Sequence, residues 1–138
     1  MADKILKYSL NIPKRHASAP VRASTLIEAG DACSRDSSGR ARPLTVADAN
    51  FAGFAQARVD NSSGAAGAED VRLWQVLELE VPVTGVVDEG DVDSTVYMTD
   101  EETFTLSSTG GVQVGKITEH KSGTTCKVLC EAGPARSL

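Results

Sequence analysis

Apolar and polar side chains alternate most clearly in the stretch from Val71 to Val81. Positions of one parity are apolar, with Gln75 as the one interruption: Val71, Leu73, Leu77, Leu79 and Val81. Positions of the other parity carry Arg72, Glu78 and Glu80. Because successive side chains of a strand point to opposite faces, this pattern predicts a half-buried β-strand.

Shorter alternating stretches recur along the chain, separated by turn residues. The predicted strands are 51–59, 95–98, 103–107, 112–117 and 126–130, and the turn signals include Asp88–Asp91, Gly110–Gly111 and Ser122–Gly123. Short strands at regular spacing predict an all-β fold, a small antiparallel β-barrel or sandwich. We expect Gly110–Gly111 to close a hairpin between 103–107 and 112–117. Residues 60–70 are expected to form a flexible loop, and Val46–Asn50 one helical turn capped by Thr45.

The first 24 residues lack this pattern and are predicted to form an extended, basic arm in front of a β-rich domain at residues 25–138. Pro13 and Pro20 interrupt any helix. The arm is too apolar for a purely solvated tail, so we expect it to be disordered until it docks on a partner. The residues expected to make that contact are Lys4, Ile5, Leu6, Lys7, Tyr8, Ile12, Lys14 and Arg15.

Charge is distributed unevenly along the 138 residues, whose formal net charge is −5. Residues 1–42 carry eight Lys/Arg and four Asp/Glu, whereas residues 43–138 carry six and fifteen. Binding of nucleic acid by the acidic body is therefore not expected, while the basic arm suits an acidic partner. No apolar run approaches the roughly 18 residues of a membrane span, and charges interrupt the N-terminus where a secretory signal is apolar. We expect synthesis in the cytoplasm and no membrane partner.

Candidate chemistry is sparse. A zinc site drawn from His120, Cys126 and Cys130 lacks a familiar ligand spacing, and the acidic turn from Asp88 to Asp93 lacks the calcium-loop pattern. In a strand, Cys126 and Cys130 would lie about 13 Å apart, too far for a disulfide. We interpret them and Cys33 as core residues. No nucleophile–base arrangement is visible, so we expect no enzymatic activity and no cofactor, with a metal-dependent enzyme or binding domain as the alternative.

The order of turns and strands resembles the capsid cement, or head decoration, proteins of tailed bacteriophages. The resemblance covers residues 25–131. It rests on the Gly30-Asp31 turn, the strand Phe51-Ala-Gly-Phe-Ala55, the step from Gly90-Asp91 to Val96-Tyr97, the strand around Val114-Gly-Lys-Ile117, and the closing strand Cys126–Cys130.

This resemblance implies a structural protein of the virion that binds the outer surface of the mature head. Its partners would be the major capsid protein and itself, as a homotrimer. The arm residues given above would contact the capsid, and Trp74 is our single candidate for the trimer interface, with a second core layer as its alternative role. A head-completion or tail protein is the remaining alternative within the virion.

Overall fold

The structure is a computed structural model that describes residues 15–48 and 50–132. These residues form an all-β fold, which confirms the predicted fold class. Their strands are β1 (Arg15–Pro20), β2 (Thr25–Ile27), β3 (Ala32–Arg35), β4 (Ala41–Pro43), β5 (Asn50–Ala55), β6 (Val59–Asn61), β7 (Asp70–Pro82), β8 (Thr95–Met98), β9 (Phe104–Thr105), β10 (Val112–Ser122) and β11 (Thr125–Glu131). A short 3-10 turn spans Glu89–Asp91.

Nine of these strands make one curled antiparallel sheet in the order β4-β3-β5-β7-β11-β10-β8-β9, with β1 also paired to β7. The remaining pair, β2 and β6, forms a separate two-stranded sheet. A parallel bridge between Thr84 and Thr105 joins β9 to the segment that follows β7. The β7–β11–β10–β8–β9 half of the sheet thus curls back towards its own start.

The centre of the fold is β7, which spans 13 residues and has neighbours on both edges. On one edge, the Gln56 amide donates to the Arg72 carbonyl as the chain leaves β5. On the other edge, the amides of Val21 and Ala132 donate to the carbonyls of Glu69 and Gln75. Because backbone groups of alternate residues point to alternate edges of a strand, β1 and β11 share one edge of β7, placed end to end.

Buried apolar side chains form two clusters. The larger one lies between the curled half of the sheet and β5, and includes Phe51, Phe54, Leu77, Met98 and Ile117. The smaller one lies under β1 and β2 and includes Val21, Ile27, Cys33, Val71 and Leu73. Few aromatic rings contribute, since Phe51, Phe54 and Phe104 are the ring residues in the buried core, as the 4% aromatic content implied.

The sheet begins earlier in the chain than the boundary drawn at Thr25. Residues 15–20 form β1 and pair with β7 from Asp70 to Val76. Ala19 and Val21 are 1% and 0% exposed, so this part of the predicted arm supplies core residues. The described body therefore starts at Arg15.

Two local predictions differ from the structure. Val46 and Ala47 form a turn and β5 starts at Asn50, in place of a helical turn. The glycines at 110 and 111 connect β9 to β10 without pairing them, because β8 lies between these two strands.

The loop expected at residues 60–70 lies between the end of β6 at Asn61 and the start of β7 at Asp70, and its flexibility stays a prediction. The Asn61 side chain donates to the carbonyls of Arg22 and Ala65, both at 3.0 Å. The Gly67 amide donates to the Val21 carbonyl at 2.9 Å. These bonds attach the loop to the chain that follows β1.

Candidate functional site

The predicted partner-binding arm falls mostly outside the residues that the structure describes. The candidate contact residues that lie outside the described part are Lys4, Ile5, Leu6, Lys7, Tyr8, Ile12 and Lys14. Arg15 is the first residue of β1, opposite Val76 of β7. The structure thus fixes where the arm joins the body.

That junction coincides with the other end of the described chain. Val76 is paired with Arg15 through β1 and with Glu131 through β11. Ala132, the last described residue, donates its amide to the Gln75 carbonyl at 2.8 Å. Residues 1–14 and 133–138 therefore both connect to the body at the middle of β7.

The junction separates regions of opposite charge. Residues 1–14 and 133–138 carry four of the fourteen Lys/Arg residues and one of the nineteen Asp/Glu residues. The described body keeps ten basic and eighteen acidic residues, so its charge is more negative than that of the whole chain.

Trp74 lies in β7 opposite His16 of β1 and Phe54 of β5. Its side chain is partly buried and packs against the larger apolar cluster. Partial burial against this cluster is compatible with the alternative role of Trp74 in a second core layer. Its assignment to a trimer interface stays a prediction.

In the acidic turn at 88–93, two carboxylates accept hydrogen bonds from backbone amides of the turn itself. Asp91 Oδ2 accepts hydrogen bonds from the amides of Val87 and Asp88, at 2.8 and 3.3 Å, and Asp88 Oδ1 accepts from the Gly90 amide at 2.9 Å. The two amide donors hold the pKa of Asp91 below its usual value. The turn is thus a capping box that leads into β8.

The residues of the alternative zinc site are engaged in the β10–β11 hairpin. His120 is paired with Cys126, and its Nε2 lies 3.0 Å from the Gly123 carbonyl oxygen. Burial raises the pKa of the Cys126 thiol. Among residues 15–48 and 50–132, no group of three His, Cys, Asp or Glu side chains could hold a metal ion.

All three cysteines are buried and free of disulfides. Cys33 lies in the smaller apolar cluster, while Cys126 and Cys130 lie in the larger one. Burial, followed by the charges of Asp31 and Glu101, raises the pKa of the Cys33 thiol far above its usual value. Such a thiol is a poor nucleophile, which agrees with its interpretation as a core residue.

A buried carboxyl group in the Gly30-Asp31 turn was not singled out as a site from the sequence. Asp31 is 2% exposed, and its Oδ2 accepts a hydrogen bond from the Glu28 amide at 2.9 Å. Its Oδ1 is buried without a hydrogen-bond partner in the described chain. Burial, opposed by that amide and reinforced by the charge of Glu101, raises the pKa of Asp31 to about 6. The sequence indicated the turn at Gly30-Asp31 but not the burial of the Asp31 carboxyl. The distant segment 99–103 lies beside this turn, where the Glu101 carbonyl accepts a hydrogen bond from the Ala32 amide.

A second buried carboxylate, Asp48, is fully engaged. Arg42 donates to both of its oxygens, at 2.8 and 2.7 Å, and Ser34 Oγ donates at 2.6 Å. The Arg42 hydrogen bonds lower the pKa of Asp48. This cluster fastens the segment before β5 to β3 and β4.

No protein-family model matches this chain, and no curated protein matches it either. Within the described residues, no helix is long and apolar enough to cross a membrane.

Proposed function

We propose that this protein is a bacteriophage capsid decoration protein, which binds the outer surface of the mature head and stabilises contacts between major capsid protein subunits. The order of turns and strands from Gly30-Asp31 to the closing strand at Cys126–Cys130 supports this proposal through its resemblance to that family. The fold alone carries no function, so the proposal depends on how the chain distributes its charge and apolar surface.

The observation that carries the proposal is the division of the chain into an acidic β body and a basic, apolar N-terminal segment. Residues 4–14 combine three lysines with Ile5, Leu6, Tyr8, Leu10 and Ile12. Such a segment suits a surface that has acidic groups and shallow apolar grooves, by addition of a strand or by filling pockets. Fourteen extended residues reach up to about 50 Å, enough to cross from one coat subunit to the next.

A homotrimer would strengthen weak individual contacts. Three arms that bind three equivalent coat sites raise the effective concentration of each arm once the first has bound, so avidity grows without new kinds of contact. Trimers also match the threefold positions of an icosahedral shell. Such a protein is made in the cytoplasm before it joins the virion, which agrees with three buried cysteines that form no disulfide.

The competing function, a metal-dependent enzyme or binding domain, would use the 88–93 carboxylates or the thiols. Two of these carboxylates, Asp88 and Asp91, accept hydrogen bonds from amides of their own turn, and the thiols are buried. A head-completion or tail protein would share the β body but would not bind the shell at many equivalent positions.

Co-sedimentation with heads of the source phage tests the proposal. We expect the purified protein to be a trimer by light scattering, to contain no stoichiometric metal, and to bind expanded heads in many copies. Unexpanded heads are the matched control and should bind far less. A metal-containing monomer that leaves expanded heads undecorated would refute the proposal, and binding restricted to one vertex or to tails would favour the head-completion or tail alternative.

A further inference from the structure

A groove of about 290 Å³ crosses the outer face of the sheet beside Gly115 of β10. Leu129 and Glu131 of β11 line one side, and Asp93 and Thr118 lie at the other. Gly115 keeps the two strands close, because a Cβ there would lie 2.0 Å from the Leu129 carbonyl oxygen. The lining also includes the exposed Lys116, so the groove presents backbone, one half-buried leucine, two carboxylates and one ammonium group.

The groove starts where the described chain starts. Glu131 is paired with Val76 of β7, and Val76 is also paired with Arg15. On this edge of β7, β1 pairs with residues 70–76 and β11 pairs with residues 76–82. A longer β1 could therefore not continue to pair along the same edge.

Only one face of the sheet is open beside this junction. On the inner face, Leu77, Val128, Cys130 and Ala132 are at most 1% exposed. On the outer face, strand alternation places Val76, which is only 6% exposed, and the half-buried Leu129. Their nearest cross-strand positions are Glu131 and Glu78. An extended segment that continued from Arg15 over this face would pass the buried Val76 and then meet Leu129 and the groove.

We propose that the groove beside Gly115 binds the N-terminal segment of its own chain, residues 4–12, in the free protein. Ile5, Tyr8 and Ile12 would contact Leu129, while the lysines at 4, 7 and 14 would face the carboxylates of Asp93 and Glu131, which outnumber Lys116, the one lysine of the lining. About four residues of extended chain span the distance from Glu131 to the level of Lys127 on β11, so residues 4–12 are long enough to follow the groove. This gives a resting position to a segment that the sequence predicts to be disordered.

The groove would then compete with the capsid for the same segment, a consequence that rests on the proposed function. Apparent affinity for a partner equals the intrinsic affinity multiplied by the fraction of molecules whose segment is free. Docking would thus keep the apolar arm covered until a coat surface offers a better site.

Limited trypsin digestion of the full-length protein, followed by intact mass, tests the docking without capsids. We expect cleavage after Lys7 and Lys14 to be slow in the wild type. In Leu129→Asp, which places a charge in the groove on an already half-exposed position, cleavage there should be about tenfold faster, the factor that corresponds to about 1.4 kcal/mol. Glu131→Lys should also accelerate cleavage, and its effect should shrink in high salt.

Thr125→Asp is the matched control, because Thr125 is half-buried on the same strand and lies outside the groove. Its cleavage rate should equal that of the wild type. Thermal unfolding verifies that each variant is folded, and backbone hydrogen exchange of residues 4–12 gives a second measurement that does not depend on trypsin.

Two outcomes would overturn the proposal. One is wild-type cleavage as fast as in Leu129→Asp, with residues 4–12 exchanging at the rate of an unfolded peptide. The other is protection that disappears on dilution, which would assign the groove to the arm of a second copy. Neither outcome depends on capsid binding, so failure of the docking and failure of the proposed function are distinguishable.

Discussion

At the scale of single residues, Asp31 gives the molecule a specific pH dependence. Its pKa of about 6 lies above 3.8, the usual value for an aspartate, so at pH values between these two the folded state binds more protons than the unfolded state. Stability contributed by this group is therefore complete below about pH 4 and falls as the pH rises to about 6. Asp31→Asn removes the cost of a buried charge, and we expect it to raise the free energy of unfolding at pH 8 by about 2 to 3 kcal/mol.

Urea unfolding at pH 4 and pH 8 measures this effect. The gain from Asp31→Asn should be much smaller at pH 4, where the wild-type acid is protonated in the folded state and only about half ionised in the unfolded state. Asp70→Asn, at an exposed position, should change stability little at either pH. Equal effects of Asp31→Asn at both pH values would show that the substitution acts through packing and not through ionisation.

Arg42 and Asp48 form the other residue-scale feature, an ion pair whose carboxylate side chain is 4% exposed. Arg42→Ala leaves this carboxylate buried with Ser34 as its remaining side-chain donor, and we expect a loss of about 3 kcal/mol in unfolding free energy. Arg58→Ala is the control, because its pair with Glu28 is exposed on the arginine side and should contribute less than about 1 kcal/mol. Similar losses in the two variants would contradict the buried role.

At the scale of elements, Gly53 determines how β5 meets β7. It has φ +130°, and a Cβ there would lie 2.5 Å from the Trp74 carbonyl oxygen. Gly53→Ala combines backbone strain with a collision against a central strand, so we expect a loss of about 2 to 4 kcal/mol in thermal or urea unfolding. Gly39→Ala, with φ +82° and open space around its Cβ position, isolates the strain and should cost about 1 kcal/mol. If Gly53→Ala lost no more stability than Gly39→Ala, the close approach of Gly53 to Trp74 would be refuted.

The elements that the sequence predicts well are those whose pattern is local. In β7, the alternation of apolar and polar residues located the strand to within one residue at each end and identified its buried face. This works because the polarity of each side chain indicates whether it faces the core or the solvent. The sequence did not predict β1, since Arg15–Pro20 is short, polar and ends in proline, and its pairing depends on residues more than fifty positions away. A turn signal at Gly110–Gly111 indicates that the chain reverses, but not that β8 lies between the strands it joins. The same limit applies to Asp31, whose burial requires contacts from another part of the sheet.

At the scale of the whole molecule, the position of β1 changes which part of the chain can act as a free arm. Removal of residues 2–22 would delete Ala19 and Val21 from the core and should unfold the body. Removal of residues 2–14 leaves every described strand in place. The functional test of the arm therefore uses the shorter deletion.

We expect the protein lacking residues 2–14 to keep its fold and oligomeric state but to bind expanded heads at least tenfold more weakly. Exposed ion pairs contribute only about 0.2 to 1 kcal/mol each, so the apolar residues Ile5, Leu6, Tyr8 and Ile12 should dominate the affinity. Neutralising Lys4, Lys7, Lys14 and Arg15 should then weaken binding less than the deletion, mainly by slowing association, and this effect should shrink in high salt. Quantitative co-sedimentation at two ionic strengths measures both variants. Unchanged decoration by the deletion variant would move the capsid-binding surface from the arm to the β body.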